Sequence, residues 1–273
     1  PEEEQEPGEP EEPVREFVQG EAQLTVSTAA MAAGTAGERT VPSDFYEALN
    51  VGGSLTMQND VDYGKSMWVS RDLTIDLNGY VLKMTGIKVE NGVHLTIKDS
   101  RPDAEHKFTS NANGLWVLDE QNGTKIVKGG VIYGGSAEKG GGVYVAGTFD
   151  MRGGEICDNF AGLANYKNKY GNDDRRGGDG GGVYLYSKNS FSMRGGSIQD
   201  NTVDDRGGGV FVRGYGHTIT LSGRSIIQNN VDKDDQDNNL YLENSSQQVS
   251  ARRLSSGADI GISSGRTLAS GQT

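Results

Sequence analysis

GGGVYVAGTFDMRGGEICDN (140–159) can be laid over GGGVYLYSKNSFSMRGGSIQDN (180–201), GGGVFVRGYGHTITLSGRSIIQN (207–229) and, more faintly, DNNLYLENSSQQVSARRL (237–254). Self-similarity at this period marks an array of stacked units and decides the fold class before any local assignment. Each unit holds two short runs of alternating apolar residues, divided by Gly pairs and closed by Asn or Asp. That pattern reads as strand, turn, strand, turn, with no helical spacing in it. Gly suits the turns because it takes positive φ without a Cβ clash. Such units stack as the coils of a β-solenoid, each pairing with the coil before and the coil after.

Upstream, Asn113-Gly114-Leu115-Trp116-Val117 fits the Gly-Gly-Val-Tyr-Val frame, TKIVKGGVI (124–132) fits TFDMRGGEI (148–156), and Asn91-Gly92-Val93-His94-Leu95 fits one coil earlier. Side chains alternate along a strand, so three inward columns are expected. The first contains Val143 and Val145, Val183 and Leu185, Val210 and Val212, and Leu240 and Leu242. The second contains Val127, Met151, Met193 and Leu221, and the third Ile132, Ile156, Ile198 and Ile226. Burial of each stabilises by roughly 1.5–3 kcal/mol before entropy is subtracted, which makes these columns the core. Asn159, Asn201 and Asn229 fall together at a turn, where stacked amides can form a hydrogen-bonded ladder.

Composition agrees with a turn-rich β chain: 41 Gly and 6 Pro among 273 residues, with few aromatics. No run approaches the ~18 apolar residues of a membrane span. The single cysteine, Cys157, rules out an intrachain disulfide. Residues 1–21 carry nine Glu against one Arg, a local charge of −8 that leaves −4 of the total −12 for the rest. A Pro/Glu run of this kind cannot bury a core, so 1–22 reads as a disordered linker. Residues 23–84 read as an N-terminal cap and first coils, with a short capped helix beginning at Ser43. Residues 85–245 read as the repeat coils with an insertion at 162–179, and 246–273 as the last coils. The cap answers a need, because an uncovered coil would expose core and strand edges. The chain opens on Pro and ends without a cap, and the expectation is a monomeric domain of a longer protein.

The entry EALNVGGSLTMQNDV…LTIDLNGYVL, the GVHLTIKDS that follows, the GGGVYV…MRGGEICDN coils and the late SSGADIGISSG (255–265) resemble right-handed parallel β-helix regions of large surface proteins from gut Firmicutes and related bacteria. The resemblance covers roughly residues 40–265. It implies an all-β, right-handed parallel β-helix and a secreted or bacterial cell-surface location. It also implies adhesion or glycan contact more than a defined reaction. The same fold hosts polysaccharide lyases, hydrolases and epimerases, so fold alone selects no function.

Two sets of residues are candidates for function. If Val143 and Val145 point inward, Tyr144 points outward, and the same position gives His94, Trp116, Tyr184, Phe211 and Tyr241. At about 4.8 Å per coil this stripe spans about 24 Å, and flat aromatic faces suit sugar rings. Trp116, Tyr144, Tyr184, Phe211 and Tyr241 are therefore the candidate ligand-binding residues, with a polysaccharide or a host surface glycoprotein as the partner. The competing reading is cross-strand packing, with the insertion and its Tyr166 and Tyr170 lying over the rings. The second set is an acidic loop series: Asp173, Asp174 and Asp179, then Asp204 and Asp205, then Asp232, Asp234, Asp235 and Asp237. Stacked carboxylates could hold Ca²⁺, through Asp204, Asp205, Asp234 and Asp235, and no other cofactor is suggested. Asp173, Asp174, Asp204 and Asp205 could instead supply the acid and base of a polysaccharide-degrading enzyme. Arg175, Arg176 and Arg206 interleave with these carboxylates, which also allows a self-neutralising edge.

Weaker matches do not hold. GGDGGGVYL (177–185) lacks the ligand Asp of the calcium-binding nonapeptide, having Gly182 there. Lys128, Arg152 and Arg194 form a basic column that Asp150 and Glu155 should screen. No Ser/His/Asp set, zinc spacing or phosphate loop is present. The acidic balance argues against nucleic acid.

Overall fold

Triplets of the form apolar-X-apolar recur because a three-residue strand buries its first and last side chains on one face and turns the middle one to the other. In the computed structural model, which describes residues 43–110, 116–167, 173–186, 189–244 and 247–264, these triplets build a nearly all-β protein. Strands Met67–Val69, Ile87–Val89, Val143–Val145, Val183–Leu185, Val210–Val212, Leu240–Leu242 and Ile262–Ser264 pair in parallel as one seven-stranded sheet. A twelve-stranded sheet holds two more parallel rows. One begins with Gly53–Thr56 and Leu73–Asp76 and continues through His94–Lys98 and Thr148–Met151. The other contains Val81–Lys83, Val131–Tyr133 and Glu155–Cys157. The long strands Ser190–Gln199 and Thr218–Gln228 run through both. A shorter four-stranded sheet joins Ser136–Ala137, Phe160–Ala161, Thr202–Val203 and Val231–Asp232. Neighbours in each row come from successive passes of the chain, so each pass templates the next.

The core is the set of inward columns these rows create. Val143, Val145, Val183, Leu185, Val210, Val212, Leu240 and Leu242 are buried as expected. Met151, Met193 and Leu221 stack with Ile97, and beside them Leu95, Phe149, Phe191 and Ile219 form a column of their own. Phe149 and Phe191 are stacked with centroids 5.6 Å apart. Helix Ser43–Val51 packs Phe45 and Ala48 onto this core at the N-terminal end.

Four expectations about register need correction. Val127 leaves the second column, because it pairs antiparallel with His106 in a separate sheet of Glu105–Ser110, Trp116–Leu118 and Lys125–Lys128. Ile226 gives way to Ile227, which pairs with Ile198 and is fully buried while Ile226 is half-buried. The cause is one extra residue between Leu221 and Arg224 relative to Met193 and Gly195, a β-bulge. The same residue moves the Asn column from Asn229 to Asn230. His94 pairs with Thr148, so it belongs to a different row from Tyr144.

The Asn ladder is continuous. Asn159, Asn201 and Asn230 are buried; each side-chain oxygen accepts the backbone N–H one pass earlier, at Gly135, Asn159 and Asn201, and Asn239 does the same for Asn230. The residues just before the first three, Asp158, Asp200 and Asn229, all sit at positive φ, 53°, 56° and 54°. Asp and Asn tolerate that region better than other residues with a Cβ, which explains the recurring Asp-Asn or Asn-Asn pair.

Two segments depart from the parallel rows. The antiparallel sheet of 105–128 covers the outer side of the Val81, Val131 and Cys157 row with Phe108 and Val127, and Phe108 meets Tyr133 edge-on at 5.1 Å. Lys125 anchors it, reaching Asp158 at 3.0 Å and Asp200 at 3.1 Å. The expected insertion is an antiparallel hairpin, Leu163–Lys167 against Asp173–Gly177. The acidic 1–22 segment, residues 113–115 and Tyr170 lie outside the described residues.

Candidate binding face

Each triplet of the seven-stranded sheet turns its middle residue away from the core. Register sets these residues in one row: Trp68, Lys88, Tyr144, Tyr184, Phe211, Tyr241 and Ser263. Four of the five expected aromatics are therefore in line. Trp116 is not, because its strand belongs to the antiparallel sheet, where its ring lies under Lys125 Nζ at 4.8 Å. The rings stack face to face, Tyr144 on Tyr184 at 5.3 Å, Tyr184 on Phe211 at 5.4 Å, and Phe211 on Tyr241 at 5.7 Å.

Exposure along the row is graded. Trp68, on the edge strand, is 55% exposed, whereas Tyr184 and Phe211 are 0% exposed. Tyr144 and Tyr241 are half-buried. An accessible stripe was expected throughout; in the middle the rings are instead sealed by their neighbours and by flanking side chains. Lys139 lies over Tyr184 at 5.9 Å, and the Arg206 guanidinium over Phe211 at 4.8 Å and Tyr241 at 5.8 Å. Burial pushes the Tyr184 phenol well above its usual range, with Arg213 acting against that rise.

The flanking charges are positioned by the glycine runs. Gly180 and Gly207 take φ of 72° and 66°, and a Cβ on either would come within 2.9 Å of the backbone of the ring residue four positions on. The loop is thus folded tightly against its own strand. The residue before the run is carried into a row parallel to the rings: Lys139, Asp179 and Arg206, linked by successive parallel bridges. Asp179 is buried and bound in two places by Arg206, at 3.0 and 3.3 Å. Burial lifts its carboxyl to about 6, against the pull of Arg206. Asp205 and Glu243 also face Arg206, at 3.2 and 3.7 Å, and with Asp179 they raise its pKa despite burial.

Among the described side chains, the acidic residues are engaged locally. Asp204 accepts the Leu163 N–H at 2.7 Å and so ties the hairpin to the next pass. Asp205 serves Arg206, Asp234 pairs with Lys233, and Asp235 sits at φ 56° in a turn where Asp232 accepts the N–H groups of Asp234 and Gln236. Asp173 and Asp174 lie on the hairpin strand, opposite Lys167 and Tyr166. Among the described residues, no three His, Cys, Asp or Glu side chains come together as metal ligands. The basic column is screened: Arg152 and Arg194 share the buried Asp150, and Lys128 pairs with Glu105. Glu155 takes no part in that; it accepts from Ser197, and burial raises its carboxyl.

Comparison with family models, curated proteins and solved structures returns no match for this chain.

Sequence reading missed Trp68 and Lys88. The signal for both was Met67-Trp68-Val69 and Ile87-Lys88-Val89, which carry the apolar-X-apolar triplet without the preceding Gly run. Asn91-Gly92-Val93 mimicked that run, but Val93 is a turn residue whose N–H bonds back to Glu90.

Proposed function

We propose that this chain is a right-handed parallel β-helix domain of a secreted or bacterial cell-surface protein, and that it acts without catalysis as a rigid platform for contact with a glycan or host surface. The fold reading is supported by rows of parallel strands that the chain visits in the same order on successive passes, with a helix over one end. The functional reading rests on one observation: an in-register row of aromatic residues, exposed at Trp68 and half-buried at Tyr144 and Tyr241. Such rings give a linear polymer several weak contacts whose sum sets affinity.

The test is a broad glycan and host-protein panel with the full chain, run beside a reducing-sugar release assay on the same polysaccharides. Binding weakened by Trp68→Ala or Tyr144→Ala, without release of reducing ends, is the expected result. Release of sugars that disappears in Asp204→Asn or Asp173→Asn would replace contact with catalysis. Binding by neither route would return the row to a packing role.

A further inference from the structure

An asparagine followed by glycine is open to attack by the next backbone nitrogen, because no Cβ shields that nitrogen. The chain has four such pairs: Asn78-Gly79, Asn91-Gly92, Asn113-Gly114 and Asn122-Gly123. Asn113-Gly114 lies outside the described residues. The other three are held very differently. The Gly79 N–H donates to Asp99 Oδ1 at 2.7 Å, and the Asn78 side chain donates to Met57 O at 2.9 Å and accepts from Ser100 Oγ at 3.1 Å. The Gly123 N–H donates to Asp119 O at 2.8 Å. Both glycines are also walled in. A Cβ on Gly79 would lie 2.8 Å from Ala104 Cβ, and one on Gly123 would lie 2.6 Å from Asp119 O and from the Lys107 carbonyl carbon. Neither restraint acts on the middle pair. Asn91 and Gly92 are exposed, and a Cβ on Gly92 would meet nothing within 4 Å. Among the described residues, neither the Asn91 side chain nor the Gly92 N–H has a hydrogen-bond partner.

We propose that Asn91-Gly92 is a site of spontaneous deamidation in the folded protein, where the free Gly92 nitrogen attacks the free Asn91 side chain, while Asn78 and Asn122 stay intact. The Gly92 nitrogen, giving up its proton to base, bonds to Asn91 Cγ. The Cγ–Nδ2 bond breaks, and ammonia leaves with a proton restored to it. Water then opens the five-membered imide at either carbonyl and gives aspartate or isoaspartate, with no change of oxidation state. The turn allows this motion at its tip alone. Its flanks are pinned to neighbouring passes: Glu90 N–H to Val69 O at 3.1 Å, Ala146 N–H to Val89 O at 2.9 Å, Thr148 N–H to Val93 O at 2.8 Å, and His94 N–H to Asp72 Oδ1 at 2.8 Å. The bond across the turn, Val93 N–H to Glu90 O at 3.1 Å, spans the pair without using a group of either residue. The Gly92 peptide can therefore swing toward the Asn91 side chain without breaking a bond between passes, whereas the Gly79 and Gly123 nitrogens must first leave their acceptors. The product adds a negative charge next to Glu90. Isoaspartate also carries the main chain through an extra carbon, in the turn that joins Ile87–Val89 to His94–Lys98.

The experiment incubates the full chain at mildly alkaline pH, once folded and once unfolded in urea, in heavy-oxygen water. Digestion and mass spectrometry then read the conversion of each asparagine, and the oxygen label marks conversion that preceded digestion. In the folded chain Asn91 is expected to convert about tenfold faster than Asn122, and by at least that factor faster than Asn78, the effect of holding the attacking nitrogen in one hydrogen bond. In urea the three should convert at similar rates, because the bonds that hold Gly79 and Gly123 are gone. Equal rates for the three in the folded chain overturn the proposal, as does an Asn91 that stays intact there while converting in urea. The folded ranking persisting in urea overturns it as well, since flanking sequence rather than the fold would then set the preference. Gly92→Ala puts a Cβ beside the attacking nitrogen and should slow Asn91 conversion several-fold. An undiminished rate in that variant, with melting curves confirming that it is folded, rules out the route through the Gly92 nitrogen.

Discussion

Replacing Asn230 by Ala tests the register of the whole C-terminal half. The Asn230 side chain is fully buried. Its oxygen accepts from the Asn201 backbone N–H at 3.1 Å and from the Asn201 amide at 2.9 Å. Its own amide donates to Ile198 O, Gln228 O and Asn239 Oδ1, all within 2.9 Å. Truncation leaves the Asn201 N–H buried without its acceptor, a loss of about 1–3 kcal/mol, and strips one donor from Asn239. Adding the small void, the expected destabilisation is about 2–4 kcal/mol, a large share of a typical domain's stability. Asn229→Gly is the matched control. Residue 229 is exposed, and Gly accepts its φ of 54° without strain, so the change should stay under about 1 kcal/mol. Equilibrium urea unfolding followed by circular dichroism measures both, with m-values compared to detect local melting of an array. Hydrogen exchange at the Asn201 amide adds a site-specific readout, because that proton should lose protection only in Asn230→Ala. If Asn229→Gly costs as much as Asn230→Ala, or if Asn230→Ala costs less than about 0.5 kcal/mol, the ladder and the bulge that sets it are wrong.

Other consequences can be measured in parallel. Asp179 holds a proton in the folded state up to about pH 6, against a reference of 3.8, so the native chain binds more protons than the unfolded one between these values. Stability therefore falls as pH rises through that window, by up to about 3 kcal/mol at 1.36 kcal/mol per unit. Asp179→Asn should remove this slope, and parallel pH profiles for the two proteins would refute the assignment. Cys157 is buried, and burial with the nearby Asp158 holds its thiol well above the usual range, so a thiol reagent at pH 8 should react only on unfolding; rapid labelling of the native protein contradicts this. Gly182→Ala should destabilise by about 1–3 kcal/mol or abolish soluble expression, because a Cβ there lies 2.6 Å from Gly209 O and 2.8 Å from Ile198 Cγ2. A variant melting like the wild type would show that the passes are more loosely stacked than these distances state.

The row of rings shows how structure changes the meaning of a pattern. Tyr184 and Phe211 are equivalent to Tyr144 in sequence, yet they are sealed while Tyr144 is half-open. The difference comes from Lys139, Arg206 and the neighbouring rings, which meet them only because the register of adjacent passes brings them there.

The repeats alone determined the β class and the inward column of Val143, Val183, Val210 and Leu240, because alternation and glycine spacing act within a few residues and each pass repeats them. Outside the repeats, Ser43 and the apolar spacing of Phe45 and Leu49 determined the terminal helix. Only the tertiary structure decided which passes align. The bulge at Leu221–Arg224 shifted Ile227 and Asn230 into place, since a slip of one residue exchanges the buried face for the exposed one. Elsewhere, antiparallel pairing placed Trp116 and Val127 in a separate sheet, in a second apolar cluster with Phe108 and Tyr133. The triplet Ile87-Lys88-Val89 marks Lys88 as an outward residue, but only parallel pairing sets it in the row. Its neighbours Trp68 and Tyr144 are distant in sequence and become adjacent only through parallel pairing, an interaction that local pattern does not encode.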